Sequence, residues 1–219
     1  MKKVFTTILI LTVVIAAYSL DIVGGGSYNT YNFDYYSDGE KSTLSDEVLE
    51  EVGKGFGVYA GIAVGGNVGM EFGADWFQSK YDSTDEIFTL SQSTLAPYGA
   101  LRFRINTLVL PLSIDAKVGL SYYMNETTYK GELSWGSGSI SVSPGEKYSG
   151  LGYLAGAGVN IGITNTLSLS LNGTYRWAKI PLTEVKNIGS EEYVKYEGES
   201  TRELDLSGWK IGAGLVLEF

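Results

Sequence analysis

The sequence predicts an all-β chain: eight antiparallel strands joined up-and-down and closed into a barrel. Three observations predict it. Apolar residues recur at every second position in segment after segment, the period of a strand with one greasy face. Short turns alternate with long polar loops along the whole chain. The 219 residues include 29 Gly and 16 Tyr but only 4 Pro, a composition that favours strands over helices. The glycines show no collagen period, and their expected work is to let strands pass close beside bulky neighbours.

The elements follow in order. Lys2 and Lys3, the apolar run from Val4 to Ala17, and the small residues of Ala17-Tyr18-Ser19 predict a secretory signal over 1–19, too short for a membrane span and cleaved after Ser19. Residues 20–219 then form one domain. A first strand runs from about Asp21 to Tyr31, followed by an acidic stretch from about Asp34 to Gly55. Strand two, about 56–64, turns at Gly65-Gly66-Asn67 into strand three, about 68–79. There Val68, Met70, Phe72, Ala74 and Trp76 oppose Gly69, Glu71, Gly73 and Asp75. A polar loop leads to strand four, about 90–105, which turns at Asn106-Thr107 into strand five. One face of that strand reads Leu108, Leu110, Leu112, Ile114, Ala116, Val118, Leu120 and Tyr122. A long segment from Asn125 to Lys147 reads as a hairpin around Trp135 and Gly136-Ser137-Gly138. Strand six, about 148–163, turns at Thr164-Asn165-Thr166 into strand seven, which begins at Leu167. A last loop, about 181–203, precedes strand eight, where Trp209, Ile211, Ala213, Leu215, Leu217 and Phe219 alternate with Gly208, Lys210, Gly212, Gly214, Val216 and Glu218.

Alternation alone does not say which face points inward. A soluble, lipocalin-like barrel turns its apolar face in; a transmembrane barrel turns it out. Three features favour the membrane: full charges in mid-strand on the polar face, aromatic residues crowding the strand ends, and an aromatic C-terminal residue. The short turns all fall at one end with both termini, as in outer-membrane barrels. Tyr28, Trp76, Tyr122, Tyr153, Tyr175 and Trp177, with Trp209, are placed as an outward girdle at headgroup level.

On these residues the chain resembles the small bacterial outer-membrane barrels of the OmpA, OmpX and OmpW type, closest in length to the last. The resemblance implies an integral outer-membrane protein of eight transmembrane strands with both termini periplasmic. It also implies that Trp209, Ile211, Leu215, Leu217 and Phe219 form the C-terminal signal read by the barrel assembly machinery. Outer-membrane lipids and lipopolysaccharide are then its surroundings.

The chain has no His and no Cys. Without imidazole or thiol, the usual Ser-His and Cys-His nucleophile systems cannot be assembled, and outer-membrane lipases, deacylases, acyltransferases and omptin-type proteases resemble one another in needing an active-site histidine that this chain lacks. His- or Cys-based zinc and copper sites are excluded on the same ground, no twelve-residue calcium loop appears, and no cofactor is expected. A formal charge of −9, which becomes −11 once Lys2 and Lys3 leave, argues against nucleic acid as a partner.

Reading the alternation, Glu71, Asp75, Arg102, Arg104, Asp115, Lys117, Arg176, Lys210 and Glu218 point into the lumen. Counting from the turns puts Glu71 level with Arg102, and Asp75, Asp115, Lys117, Arg176 and Lys210 together in a higher layer. An eight-stranded barrel is only wide enough for side chains to fill, so these charges are expected to pair across it, either as a rigid plug or as a gate whose pairs exchange partners. The loops carry the acidic excess. Leu44, Val48, Leu49 and Val52 are spaced for one short amphipathic helix in the first loop. An acidic surface beside anionic lipopolysaccharide predicts repulsion or divalent-ion bridging rather than recognition of lipid A by basic clusters. The expected function is non-enzymatic: structural, or an interaction with a surface partner through the acidic loops. The alternatives are a narrow channel for ions or small solutes, apolar ones included, and a soluble periplasmic ligand binder.

Overall fold

The computed structural model describes residues 19–42, 48, 51–83, 88–107, 111–135, 138–190 and 192–219. Residues 1–18 of the expected secretory signal, Leu44 and Leu49 of the first loop, Leu108 and Leu110, and Gly136-Ser137 lie outside them. Fourteen strands are present among the described residues: β1 (Leu20–Tyr31), β2 (Asp34–Ser37), β3 (Glu40–Ser42), β4 (Lys54–Val64), β5 (Val68–Asp82), β6 (Phe88–Asn106), β7 (Leu112–Trp135), β8 (Gly138–Val142), β9 (Gly145–Gly162), β10 (Leu167–Trp177), β11 (Lys179–Lys186), β12 (Val194–Lys195), β13 (Arg202–Asp205) and β14 (Gly208–Glu218).

Eight of them, β1, β4, β5, β6, β7, β9, β10 and β14, pair antiparallel in that cyclic order, and β14 returns to β1 through Asp21↔Glu218 to Tyr31↔Gly208. Closure leaves the wall without a free edge, so backbone groups facing hydrocarbon are satisfied within the ring. The ends of the chain meet: Leu20 N donates to Phe219 O at 3.3 Å and Phe219 N to Leu20 O at 2.9 Å. The short turns lie at that same end. Gly65 opens the first with φ +107°, a conformation that glycine adopts without steric penalty. The second is wider than Asn106-Thr107, because Thr107 N bonds to Leu112 O at 2.9 Å and β7 starts only there.

At the opposite end the strands run on. β6 has 19 residues and β7 has 24, whereas a tilted strand needs about ten to cross a bilayer. The expected third-loop hairpin is the pair β7–β8, from Gly131↔Val142 to Trp135↔Gly138. The first and last loops fold into strands as well. Asp38 and Gly39, both at positive φ, make the two-residue turn that joins β2 to β3. β2 pairs with β13, β13 with β11, and β11 with β9, so the first and last loops are stitched to each other and to the barrel wall.

Side-chain direction settles the choice between membrane and water. At membrane depth Phe56, Val58, Met70, Phe72, Leu101, Phe103, Val118, Leu120, Leu171 and Ile211 face outward and are exposed, while Asp21, Asn29, Glu71, Asp75, Arg102, Arg176 and Lys210 are buried inside. A soluble barrel has the reverse arrangement, so the lipocalin-like, periplasmic alternative is overturned. Beyond the last outward apolar residues Trp76, Leu95 and Met124, the pattern inverts. On β6 the outward residues become Ser93, Ser91 and Thr89, and Leu90 turns inward, almost wholly buried. There the surroundings are water, and the ordinary rule of apolar residues inside returns.

Candidate functional site: the lumen and its outer seal

The lumen is filled by ion-paired groups stacked from the end that carries the termini. The first group is built on Arg102 and Arg104, two residues apart on β6 and so on one face. Arg102 Nη1 meets Asp21 Oδ2 at 2.5 Å and its Nη2 donates to the Gly65 carbonyl at 3.2 Å. Arg104 clasps Asp115 with two bonds, 2.8 and 3.2 Å, and reaches Asp21 and Glu218 at 3.1 Å each. Asn160 Nδ2 donates to Asp115 Oδ2 at 2.6 Å. In the second group Lys117 Nζ and the Tyr98 hydroxyl both donate to Glu71 Oε1, at 2.8 and 2.7 Å. In the third, Lys210 Nζ lies 2.6 Å from Asp75 Oδ1 and 4.6 Å from the centre of the Tyr59 ring. Tyr59 fits because β14 carries glycines beside it: a Cβ on Gly212 or Gly214 would stand 2.9 Å from Tyr59 Cε1 or 2.7 Å from its hydroxyl. Last comes Arg176, which donates to Asn29 Oδ1 and stacks 4.5 Å over Phe77.

Glu71, Asp75, Arg102, Arg104, Asp115, Lys117, Arg176 and Lys210 all lie inside the barrel, as the alternation predicts, but the layers differ from the count along each strand. Asp115 sits with Arg104 in the lowest group, and Lys117 sits with Glu71. Barrel strands tilt and their registers stagger, so equal distance from a turn is not equal depth. The register makes Arg104↔Asp115 and Arg102↔Lys117 direct neighbours. Asp21, which takes two arginines, is a lumen charge that the sequence reading missed. Its signal is present: Asp21, Val23, Gly25, Ser27 and Asn29 form the inward alternation of β1.

Free space is small. A lumen cavity of about 30 Å³ lies between Tyr59, Glu71, Arg102, Asp115 and Lys117, room for a water or two, since one needs about 10–15 Å³. A polar vestibule of about 240 Å³ opens beside it at the turn end, lined by Ser113, Asn160, Ser168 and Glu218.

Above Arg176 the barrel is stoppered. Tyr31, Phe33, Phe77, Leu90, Tyr123 and Tyr148 of the wall and its extensions pack with Val52, Ile180, Leu182, Leu204 and Leu206 from the first and last loops. Val52, helical in the structure, is fully buried there and Val48 packs against the same cluster. Phe33 reaches this core through a left-handed backbone, φ 47°. Neither loop announces a core in its acidic composition; the available signal is the alternation of Ala178, Ile180 and Leu182 against Lys179 and Pro181.

The stopper is capped by a polar hub. Glu146 accepts from Arg202 at 2.6 Å, Tyr148 at 2.8 Å and Tyr129 at 3.3 Å, and the Tyr35 and Tyr129 hydroxyls lie 2.7 Å apart. Burial pushes the hydroxyls of Tyr35, Tyr129 and Tyr148 well above the usual tyrosine range, and the Glu146 charge adds to it. Burial works against the Arg202 charge, but Glu146 outweighs it and raises that group too.

On the outer wall, Tyr175 meets both Trp177 and Trp209 edge-on, with ring centres 4.7 and 5.1 Å away. Tyr28 meets Phe56 edge-on at 5.4 Å, and Trp76 donates its Nε1 to Ser93 at 3.1 Å. Tyr122 and Tyr153 are exposed on the same wall, on the paired strands β7 and β9. Trp209, Ile211, Leu215, Leu217 and Phe219 face outward along β14 and its end. Among the described residues no group of three or more His, Cys, Asp or Glu is arranged to hold a metal ion.

The outer membrane protein beta-barrel domain family matches residues 6–218. No curated protein matches the chain. Among solved structures, the outer membrane protein OprG of Pseudomonas aeruginosa is similar at 14% identity and TM-score 0.56, with 92% of this chain and 95% of that one covered. A major outer membrane protein of Thermus thermophilus is similar at 13% identity and TM-score 0.57, covering 92% and 99%. At these identities the likeness is one of fold.

Proposed function

The chain belongs to the outer membrane protein beta-barrel domain family and is integral to the outer membrane, and on that premise we propose a non-enzymatic role as a sealed anchor for an ordered outer platform. The observation that carries this reading is the apolar core that closes the barrel above an ion-paired lumen. A hydrated ion passing through must displace buried, hydrogen-bonded charge pairs and then cross packed Leu, Ile and Phe side chains, and both steps are costly. What faces outward above the seal is a platform of antiparallel strands with Asp38, Glu40, Glu192, Glu197 and Glu199 exposed. Loops held on a rigid scaffold are where recognition is carried, so the platform serves structure or contact with a surface partner. The absence of His and Cys supports the non-enzymatic part.

The competing reading, a narrow channel, draws on the polar lumen and its vestibule at the periplasmic end. It requires the charge groups to exchange partners and the seal to part. Single-channel recording of the refolded barrel in a planar bilayer separates the two. The sealed reading expects a silent bilayer from protein that still migrates heat-modifiably. Reproducible small steps, altered by Arg102→Ala, would replace it with a charge-lined pore.

A further inference from the structure

A large concavity lies on the outside of the wall, at the height where its polarity inverts. The extended β5–β6–β7 leaf rises past the shorter β1–β4 pair, and the corner between them encloses about 1010 Å³. Its lower side is apolar and lies in the lipid-facing surface: Tyr28, Phe56, Val58 and Trp76, with Phe56 77% exposed. Its upper side is polar: Gln78, Ser91 and Ser93 with Lys54 and Lys80. Gln92, on the inward face of β6 between Ser91 and Ser93, also borders it, and among the described residues its buried side-chain amide has no hydrogen-bond partner.

The two lysines stand far apart in the sequence of an acidic chain, and only the β4–β5 pairing brings them to one groove. Lys80 is held by Asp82 at 2.7 Å, but both side chains are largely exposed, 61% and 50%. Such a pair is weak and exchangeable, and a phosphate is a stronger acceptor for an ammonium group. Glu126, an acid on the rim of the groove, is engaged by the Tyr193 hydroxyl at 2.9 Å.

We infer that this groove is a headgroup site for one phosphorylated glycolipid of the outer leaflet, with acyl chains against Tyr28, Phe56 and Trp76, phosphate at Lys54 and Lys80, and sugar hydroxyls at Gln78, Ser91 and Ser93. The occupant follows from position. The apolar half of the groove is continuous with the surface already in hydrocarbon, and the basic half stands at headgroup level. The acidic total of the chain conceals this local basic pair, so the site runs against the expectation that no basic cluster recognises lipid A.

Native mass spectrometry of the detergent-purified barrel tests it, with three probes: lipid A carrying both phosphates, lipid A stripped of phosphate, and phosphatidylglycerol. One diphosphorylated lipid A per barrel is expected, preferred over both other probes. Loss of two charge-assisted contacts in Lys54→Ala/Lys80→Ala should lower its affinity by about tenfold or more. Lys54→Arg/Lys80→Arg keeps the charge and should retain it, as should Lys195→Ala on the outer platform. Heat-modifiable migration reports that each variant is folded. Equal retention of all three probes, or unchanged lipid A binding by the double alanine variant, overturns the site and leaves ordinary annular lipid.

Discussion

Removal of the Asp21 carboxylate is the sharpest perturbation of the lumen. Asp21 and Arg102 are each only 1% exposed, and among the described residues Asp21 is the only carboxylate within ion-pair distance of Arg102. The remaining contact of that guanidinium is the Gly65 carbonyl, and its Nε has no partner among the described residues. Arg104 also touches Asp21 but keeps Asp115 and Glu218. Asp21→Ala therefore strands one buried cation, and breaking a buried pair from one side costs about 3–5 kcal/mol. With a guanidinium m-value of about 4 kcal/mol/M, the unfolding midpoint in detergent micelles should fall by roughly 1 M. Asp21→Leu/Arg102→Met removes both charges and should recover most of that loss, because no unpaired ion is left inside. Asp82→Ala, which breaks the exposed pair with Lys80, should leave the midpoint where it was. Tryptophan fluorescence and heat-modifiable migration both report the transition. A single variant as stable as wild type, or a double variant as unstable as the single, would refute the account of the lumen as a set of locally neutralised buried charges.

Two further outcomes concern the outer end. Leu204 is fully buried in the seal, so Leu204→Ala should destabilise the seal by about 2–5 kcal/mol; limited proteolysis should then cut the first and last loops faster while the barrel keeps its heat-modifiable band, and an unchanged cleavage rate counts against a packed stopper. The hub predicts alkaline sensitivity: burial raises the folded-state values of Tyr35, Tyr129 and Tyr148 above the unfolded value of about 10, so their contribution is complete below that unfolded value and lost as the pH climbs through the folded values. Tyr193, pushed up to about 12 by burial and by Glu126, should join them. Tyrosinate absorbance in the near ultraviolet should resolve a late-titrating group, and one shared transition of every tyrosine at the ordinary value would sink this reading.

Much of the barrel is legible in the sequence because a strand repeats every two residues. Val68 to Trp76 and Trp209 to Phe219 declare their faces without any knowledge of their neighbours. The rhythm of short turns and long loops likewise requires only counting. Pairing within the lumen is not legible in the same way. Arg102 and Lys117 are adjacent across β6–β7, yet one goes to Asp21 and the other to Glu71, a choice made by stagger between strands far apart in the chain. The first and last loops mislead for a related reason. Their apolar residues are sparse in each loop alone, and Phe33, Val52, Ile180, Leu204 and Leu206 make a core only once β2 and β13 pair.

Strand number around the ring, the end at which both termini meet, and a lumen lined by charge were all written in the chain before it folded, since local periodicity and turn length set them. Three other features exist only in the closed barrel: the choice of which charges neutralise each other, the height at which the wall inverts its polarity, and the dry core with which acidic loops seal the mouth. They arise from contacts between residues remote in the chain, such as Lys210 with Asp75 and Arg104 with Glu218. Closure of the ring, with its tilt and stagger, is what brings such residues to one depth.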